Sequence, residues 1–281
     1  MGFRRSYTAM SMVGKTFLYE EMKWPEVREA AREGRVAVIP VATIEDHGHH
    51  LPLVTDVLIT ATICRRTAEA MPDEVVLLPP QHHGYSPHHM DFPGPITIRG
   101  PTFVEYMLDI NRSLIHHGFR RILMVNGHGS NAPWLETAAR LTIVEHPSVL
   151  CATLSWWDIP EVAEAVRELR TSERGGMSHA CELETSVMLA IRPDLVDMAK
   201  AERDMSYQTS RYFPPSDFYY PSGAVRMMPY WSTVSRTGVR GDPTVATAEK
   251  GRRWLEAAVE GLTGIIRDLR SLEIKERVDH H

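Results

Sequence analysis

The 281-residue sequence has little cysteine, no long apolar run and no excess of basic charge. Its three cysteines are widely spaced and form no CxxC pair, which argues against a disulfide framework or a thiolate metal site. No segment approaches the roughly 18 apolar residues that cross a bilayer. Residues 1–22 contain basic side chains but not the apolar core of a secretion signal. We therefore expect a cytoplasmic protein with no membrane partner.

Low-complexity tracts and internal repeats are also missing, so the sequence predicts a single domain over residues 1–281. A formal net charge of −5 argues against a nucleic-acid partner. Hydrophobic residues at 43% and charged residues at 24% are ordinary proportions for a globular protein with a buried core. Histidine is the exception, because 14 are present and seven fall between His47 and His89. This stretch is where we expect the chemistry.

Short apolar runs alternate with longer helical patterns along most of the chain. The apolar runs predict buried strands over residues 36–41, 75–78, 121–125 and 149–154. Helical patterns cover residues 24–33, 56–70, 101–117, 132–145, 159–169, 179–191 and 245–272. Residues 205–244 are rich in Pro, Gly and Tyr and are expected to be irregular. The alternation predicts an α/β fold, with a mostly parallel sheet flanked by helices on both faces.

Three polar clusters follow predicted strands or begin a predicted helix. They cover residues 45–50 with Asp56 nearby, residues 126–131 and residues 179–184. Ligands in such folds sit beyond the carboxyl ends of the strands. Imidazole and carboxylate groups together suit Zn²⁺, Mn²⁺ or a similar ion. Taken singly, each histidine has a simpler explanation as a core or surface residue, and Glu45 and Asp46 could cap a helix.

These clusters resemble the motifs of the creatininase (creatinine amidohydrolase) family. The first cluster reads Glu-Asp-His-Gly-His-His-Leu-Pro, the second Asn-Gly-His-Gly-Ser-Asn, and the third His-Ala-Cys-Glu-Leu-Glu-Thr-Ser. Cys181 stands where the family has glycine. Two further matches lie at residues 84–94 and 238–243, so the resemblance extends over about residues 45–243.

The resemblance implies a dinuclear amidohydrolase that uses Zn²⁺, Mn²⁺ or alternatively Fe²⁺. By position, the implied metal ligands are Glu45, His47, Asp56, His128 and Glu184, with Asp56 shared. Ser130 occupies the position of a ligand glutamate in creatininase. His179 matches the proton-transfer histidine, and we expect its place at a helix start to lower its pKa. Glu182 is expected to orient that imidazole from the same helical face, unless it is a solvated helix residue.

The resemblance and the residues beside the motifs suggest substrate contacts from Ser86, His89, Gly129 and Trp157. Two departures argue against creatinine as the substrate. Gly175 stands where creatininase has a pocket tryptophan, and Gly129 stands where it has a tyrosine.

The sequence therefore predicts a hydrolase for the C–N bond of a small cyclic amide, lactam or formamide. A peptidase acting on a short modified peptide and a non-catalytic metal- or ligand-binding module are the alternatives. The family resemblance also implies a homo-oligomer, expected to be a hexamer.

Overall fold

The central sheet consists of four parallel strands in the order β2–β1–β3–β4. The structure is a computed structural model that describes residues 16–220 and 223–281. The strands are β1 (Val36–Val41), β2 (Val75–Leu77), β3 (Arg121–Asn126) and β4 (Leu150–Ser155). In β1, Val38 pairs with Leu77 on one side and with Leu123 on the other. The predicted parallel sheet is confirmed, and each strand lies within one residue of its predicted bounds.

Seven α-helices accompany the sheet in the described part of the chain. They are α1 (Trp24–Arg32), α2 (Thr55–Ala70), α3 (Gly100–His116), α4 (Ala132–Glu145), α5 (Pro160–Leu169), α6 (Glu182–Ile191) and α7 (Ala248–Ser271). None of them has the length and apolar character needed to cross a membrane. Most of the residues examined for a secretion signal, 1–15, lie outside the described residues, as do 221–222 of the irregular stretch.

Two helices begin three residues later than predicted. Before α6, the chain instead forms strand β5 (Met177–His179), which pairs antiparallel with β6 (Arg240–Gly241). Before α7, residues Pro243–Val245 form a 3₁₀ turn, whose Thr244 N–H donates to the Asp242 carboxylate. Strand pairing before α6 and a local cap before α7 therefore replace the first helical turn that the sequence pattern predicted.

Helices cover both faces of the sheet. Parallel crossovers are right-handed, and the chain moves from β1 to β2 in one direction but from β2 through β3 to β4 in the other. Helix α2 therefore lies on one face, and α3 and α4 lie on the opposite face. Ile63 of α2 shares its core with Leu183 of α6 and Trp254 of α7. Phe103 and Leu135 belong to the core on the other face.

The strand order reverses between β1 and β3, and this opens a crevice at their carboxyl ends. Pro40 is tolerated near the end of β1 because β2 has already ended on that side and no ladder donor is required. Its carbonyl still accepts from Gln81 N at 2.8 Å. After β3, Gly127 approaches α2 so closely that a Cβ there would lie 1.9 Å from Thr60 Oγ1. This approach brings the loop after β3 against the start of α2.

Candidate metal centre

The loops after β1 and β3 and the first turn of α2 bring four polar side chains together. His47 Nε2 lies 3.0 Å from Asp56 Oδ1. His128 Nδ1 lies 3.0 Å from Glu45 Oε2 and 3.5 Å from Asp56 Oδ2. All four side chains are at most 5% exposed. Buried ionisable groups at this density need partners, since burying an unpaired charge is costly.

Four groups of three side chains could each hold a metal ion. Two of them contain His179, and the other two, called the metal groups below, have Asp56 in common. One consists of Glu45, Asp56 and His128, and the other of His47, Asp56 and Glu184. Within each group the ligand atoms lie within 4.8 Å of one another. The structure thus brings together all five ligands that the resemblance implies.

Several atoms of these groups lack a hydrogen-bond partner among the described residues. These buried atoms include Glu45 Oε1, Asp56 Oδ2 and His128 Nε2. Buried polar atoms are nearly always satisfied, so orphans concentrated in one place indicate a missing partner. A divalent ion bound by nitrogen and oxygen fits this donor set. The residues present therefore suit a metal centre.

The protonation states of these side chains depend on one another. Burial would lower the pKa of His47, but Asp56 raises it to about 10. Burial likewise opposes protonation of His128, whereas Glu45 and Asp56 raise its pKa to about 10. Burial would raise the pKa of Glu45, but His128 and His89 hold it well below its usual range. In the metal-free protein, protons on the imidazoles balance the carboxylates.

Glu184 reaches the centre from the first turn of α6. One of its carboxylate oxygens accepts from Cys181 N at 3.3 Å, so the side chain also caps its own helix. Burial raises the pKa of Glu184 to about 7, with His47 opposing the rise and Asp56 adding to it. Ser130, by contrast, contacts His88 Nε2 at 3.1 Å through its hydroxyl and belongs to neither metal group.

His179 lies at the end of β5, so the prediction that it begins a helix is wrong. A tight turn through Ala180, whose φ is +49°, connects it to α6. Ala180 is the one residue other than glycine with a positive φ in the described part of the chain. Such backbone strain clusters at functional sites. Here the turn directs His179 and Glu184 toward the same centre.

The imidazole of His179 is held in one orientation by backbone. Its Nε2 lies 2.8 Å from the carbonyl oxygen of Asp46 and therefore carries the donated proton. Its Nδ1 faces Glu45 Oε1 at 3.7 Å. Burial, together with the nearby imidazoles of His47 and His89, holds the pKa of His179 well below its usual range. The expected lowering is present, but its cause is burial and neighbouring charge rather than the helix dipole.

The prediction that Glu182 orients the His179 imidazole is also wrong. The Glu182 carboxylate accepts from Thr171 N at 3.0 Å and from Ser172 N at 2.9 Å. Lys250 Nζ of α7 donates to it at 2.5 Å. Glu182 is 0% exposed, so the solvated alternative is wrong as well. Because α6 begins at Glu182 itself, its side chain points to the loop before β5 and to α7.

A cavity of about 160 Å³ opens beside the two metal groups. Three of the four predicted substrate contacts, His89, Gly129 and Trp157, are on its wall. The fourth, Ser86, is fully buried and donates to Glu45 Oε2 at 2.7 Å. Ser86 therefore lies behind the Glu45 carboxylate and not on the cavity wall, so the prediction that Ser86 contacts the substrate is wrong.

The sequence-based prediction missed two residues at this site. Asp46 binds His89 Nδ1 through its carboxylate at 2.7 Å and His179 through its carbonyl, so it positions both imidazoles. Trp231, from the irregular stretch, stacks on His89 with ring centroids 4.7 Å apart and meets His179 edge-on at 5.1 Å. Asp46 lies within the first motif, whereas no motif or periodic pattern near Trp231 indicated a role at the site.

A second, larger cavity of about 1470 Å³ adjoins the first. Residues from 202 to 240 line it, and Trp231 and Ser216 line both cavities. Trp231 is therefore a wall between the metal groups and an outer chamber built from the irregular stretch.

An α/β sheet with buried histidine and carboxylate groups at its switch point is an arrangement that metal-dependent hydrolases use. The family described as "Creatininase: Creatinine amidohydrolase" matches residues 20–266, and the chain belongs to this family. The resemblance stated from the motifs is thereby confirmed.

Curated relatives within the family differ in activity. Creatinine amidohydrolase of Pseudomonas putida is 29% identical over 269 residues, which are 91% of this chain and 98% of that protein. The mycofactocin precursor peptide peptidase of Mycobacterium tuberculosis is 32% identical over 234 residues, covering 79% and 81%. The 3-dehydro-scyllo-inosose hydrolase of Thermotoga maritima is 24% identical over 268 residues, covering 89% and 83%.

Solved structures show the same fold. Crystalline creatinine amidohydrolase superposes with a TM-score of 0.76 at 27% identity, covering 92% of this chain and all of that one. A manganese creatininase and a creatininase variant of Zn-Zn type each give a TM-score of 0.75 at 28% identity, with 90% and 98% covered. Members of this fold are thus known with zinc and with manganese.

Proposed function

We propose that this chain is a dinuclear metal-dependent amidohydrolase that cleaves a C–N bond of a small cyclic amide, lactam or formamide. The carrying observation is the pair of buried metal groups that share Asp56 and contain unpartnered ligand atoms. Zn²⁺ and Mn²⁺ suit this nitrogen and oxygen set, and both occur in the related creatininase structures.

The proposed ligands would divide between two ions. Glu45 and His128 would hold one ion, His47 and Glu184 the other, and Asp56 would contact both. Divalent ions in such sites supply Lewis acidity toward a carbonyl oxygen and acidify water. The Ser86 hydroxyl fixes the orientation of Glu45, and the Cys181 N–H fixes that of Glu184.

His179 is the group we assign to proton transfer. Because Nε2–H is engaged by the Asp46 carbonyl, the free lone pair is on Nδ1, which faces the metal groups. The lowered pKa keeps this nitrogen unprotonated near neutral pH. His179 can therefore accept a proton at Nδ1 and then deliver it to the leaving nitrogen of the substrate.

The inner cavity favours a small substrate. Its volume of about 160 Å³ accommodates one small ring or a short acyl group. Trp157 forms one side and stacks on Phe218 with centroids 4.9 Å apart. Trp231 also lines this cavity and the outer chamber. Gly175 and Gly129 stand where creatininase has aromatic residues, so we do not expect creatinine to be the preferred substrate.

A peptidase activity is the second candidate, and the outer chamber favours it. A cavity of about 1470 Å³ next to the metal groups has room for several residues of a peptide. The related mycofactocin precursor peptide peptidase is an example of peptide hydrolysis in this family.

Turnover by metal-loaded protein tests the proposal and separates the candidates. The apoprotein would be loaded with Zn²⁺ or Mn²⁺ and assayed with hydantoin, dihydrouracil, N-formyl amino acids and short peptides. We expect hydrolysis of a ring or formamide by the loaded wild type, and none by the apoprotein or Asp56→Asn. Turnover of peptides alone would favour the peptidase. Metal binding without any turnover would favour a non-catalytic module.

Two further properties belong to this proposal. Tyr212, Met227 and Tyr230 are each at least 57% exposed on the irregular stretch, and large apolar side chains left exposed on a surface are available for an interface. We therefore expect a homo-oligomer, a hexamer, whose mass by light scattering would be six times the 31.8 kDa chain. The three free, buried cysteines fit a reducing cytoplasm, which cell fractionation would test.

A further inference from the structure

Arg240 lies directly opposite His179 in the antiparallel β5–β6 pair. The register of this pair shifts between Met177 and His179, so the position of the Arg240 side chain is defined here by its contacts and not by the strand ladder. Trp231 contacts both side chains, since its ring lies 5.1 Å from the His179 ring and 5.5 Å from the Arg240 guanidinium carbon. Arg240 is thus on the outer-chamber side of Trp231, one side chain away from the metal centre.

The Arg240 guanidinium is held in place by aromatic rings rather than by an acid. It lies over the Tyr207 ring at 4.3 Å and contacts the Val234 carbonyl at 3.4 Å. The side chain is half-buried. Among the described residues, no carboxylate oxygen comes within 4.0 Å of it. Stacking leaves the edge of a guanidinium, with its N–H groups, available to a planar anion.

Two other arginines of the outer chamber are already paired with acids. Arg203 forms ion pairs with Glu173 and Asp242. Arg236 pairs with Glu202 at 3.2 Å. Arg240 therefore differs from these neighbours in having a fixed position without an acidic partner, at the boundary between the two cavities.

We propose that Arg240 binds a carboxylate group of the substrate, whose scissile amide lies at the metal centre on the other side of Trp231. This inference rests on the proposed function and specifies its substrate class as a carboxylate-bearing amide. The carboxylate could belong to an acidic substituent on a cyclic amide or to the C-terminus of a short peptide. Both would place the anion in the outer chamber and the C–N bond in the inner cavity.

Two matched pairs of probes test the proposal on zinc-loaded full-length protein. One pair is hydantoin-5-acetic acid and its carboxamide, and the other is glycyl-phenylalanine and its C-terminal amide. Binding is measured by calorimetry and turnover is measured separately, with wild type, Arg240→Met and Arg240→Lys. Arg236→Met is the matched control, since Arg236 lines the same chamber but is 82% exposed and paired.

We expect the acid of at least one pair to bind more tightly than its amide. Arg240→Met should weaken binding of that acid about 10- to 100-fold, as expected for loss of a charged hydrogen bond. It should leave the amide unchanged, and Arg236→Met should have no effect. Arg240→Lys should restore part of the difference in affinity between the acid and its amide. That result would show that the positive charge, and not a change in the fold, is responsible. The pair that responds identifies the source of the carboxylate.

Absence of any acid preference, including failure of all four probes to bind, overturns the inference. Equal binding of the acid by wild type and by Arg240→Met also overturns it. These outcomes are separate from the proposed function. Hydrolysis with no acid preference refutes the role of Arg240 alone, whereas Arg240-dependent binding without hydrolysis of any amide refutes the amidohydrolase.

Discussion

Replacing His179 separates its role in proton transfer from its role in structure. His179 is 6% exposed, and its Nε2–H donates to the Asp46 carbonyl at 2.8 Å. His179→Gln places an amide N–H where Nε2 was but has no base at the Nδ1 position. Loss of one general acid–base group costs roughly 10²–10⁴-fold in rate, or about 2.7–5.5 kcal/mol of transition-state stabilisation. We therefore expect kcat to fall by that factor while both ions stay bound.

His179→Ala serves as the comparison. It removes the base and also leaves the Asp46 carbonyl without its donor, which typically costs about 1–3 kcal/mol of folding stability. We expect its kcat to match that of His179→Gln and its Tm to be lower. The assay is steady-state turnover with metal content measured on the same samples. If kcat of His179→Gln stays within tenfold of wild type with both ions present, proton transfer belongs to another group, for which His89 is the nearest candidate.

The same neutral His179 predicts the pH dependence of the reaction. As a base, it is active when unprotonated, so activity falls as the pH drops through its pKa. Burial lowers that pKa, and in the loaded enzyme the ion held by His47 would supply the positive charge that its protonated imidazole supplies before loading. The acid limb of kcat/KM should therefore lie below the ordinary histidine value of 6.5. An acid limb above 6.5 that disappears in His179→Gln would contradict the tautomer and charge state described here.

Metal loading should release between two and three protons per chain near neutral pH. His47 and His128, with pKa values of about 10, are protonated before loading, Glu184, with a pKa of about 7, is partly protonated, and all three bind metal only when deprotonated. Calorimetry in buffers of different ionisation enthalpy measures this release, and equal heats in all buffers would rule it out. Separately, Lys250→Met leaves the Glu182 carboxylate buried without its cation and should lower unfolding stability by about 3 kcal/mol. Lys200→Met, in an exposed pair, should cost less than about 1 kcal/mol in urea denaturation.

Local sequence signals were sufficient for much of the architecture. Apolar runs located all four strands of the sheet to within one residue. The strands β1, β2 and β3 are buried on both faces, so a continuous apolar run is enough to recognise them, and β4 is only partly buried but still carries a short apolar run. The polar motifs after β1 and β3 were also placed correctly, since parallel strands bring their carboxyl ends to one edge. That edge is where the metal groups lie.

Long-range contacts explain what the sequence did not predict. His179 joins a strand because β6, about 60 residues later, pairs with it, and that pairing has no local pattern. Glu182 is bound by Lys250 of α7 instead of by its neighbour on the helix. Trp231 enters the site from an irregular stretch with no periodicity. In each case the deciding contact comes from a segment distant in sequence.

Metal stoichiometry tests the central claim most directly. The wild type, loaded with Zn²⁺ and freed of excess ion, would be analysed by plasma mass spectrometry beside Glu184→Gln and Ser130→Ala. We expect two ions per chain in the wild type, one in Glu184→Gln, and two in Ser130→Ala, because Glu184 belongs to a metal group and Ser130 does not. A wild type that holds one ion or none, or a Ser130→Ala variant that loses an ion while Glu184→Gln keeps both, would contradict the account.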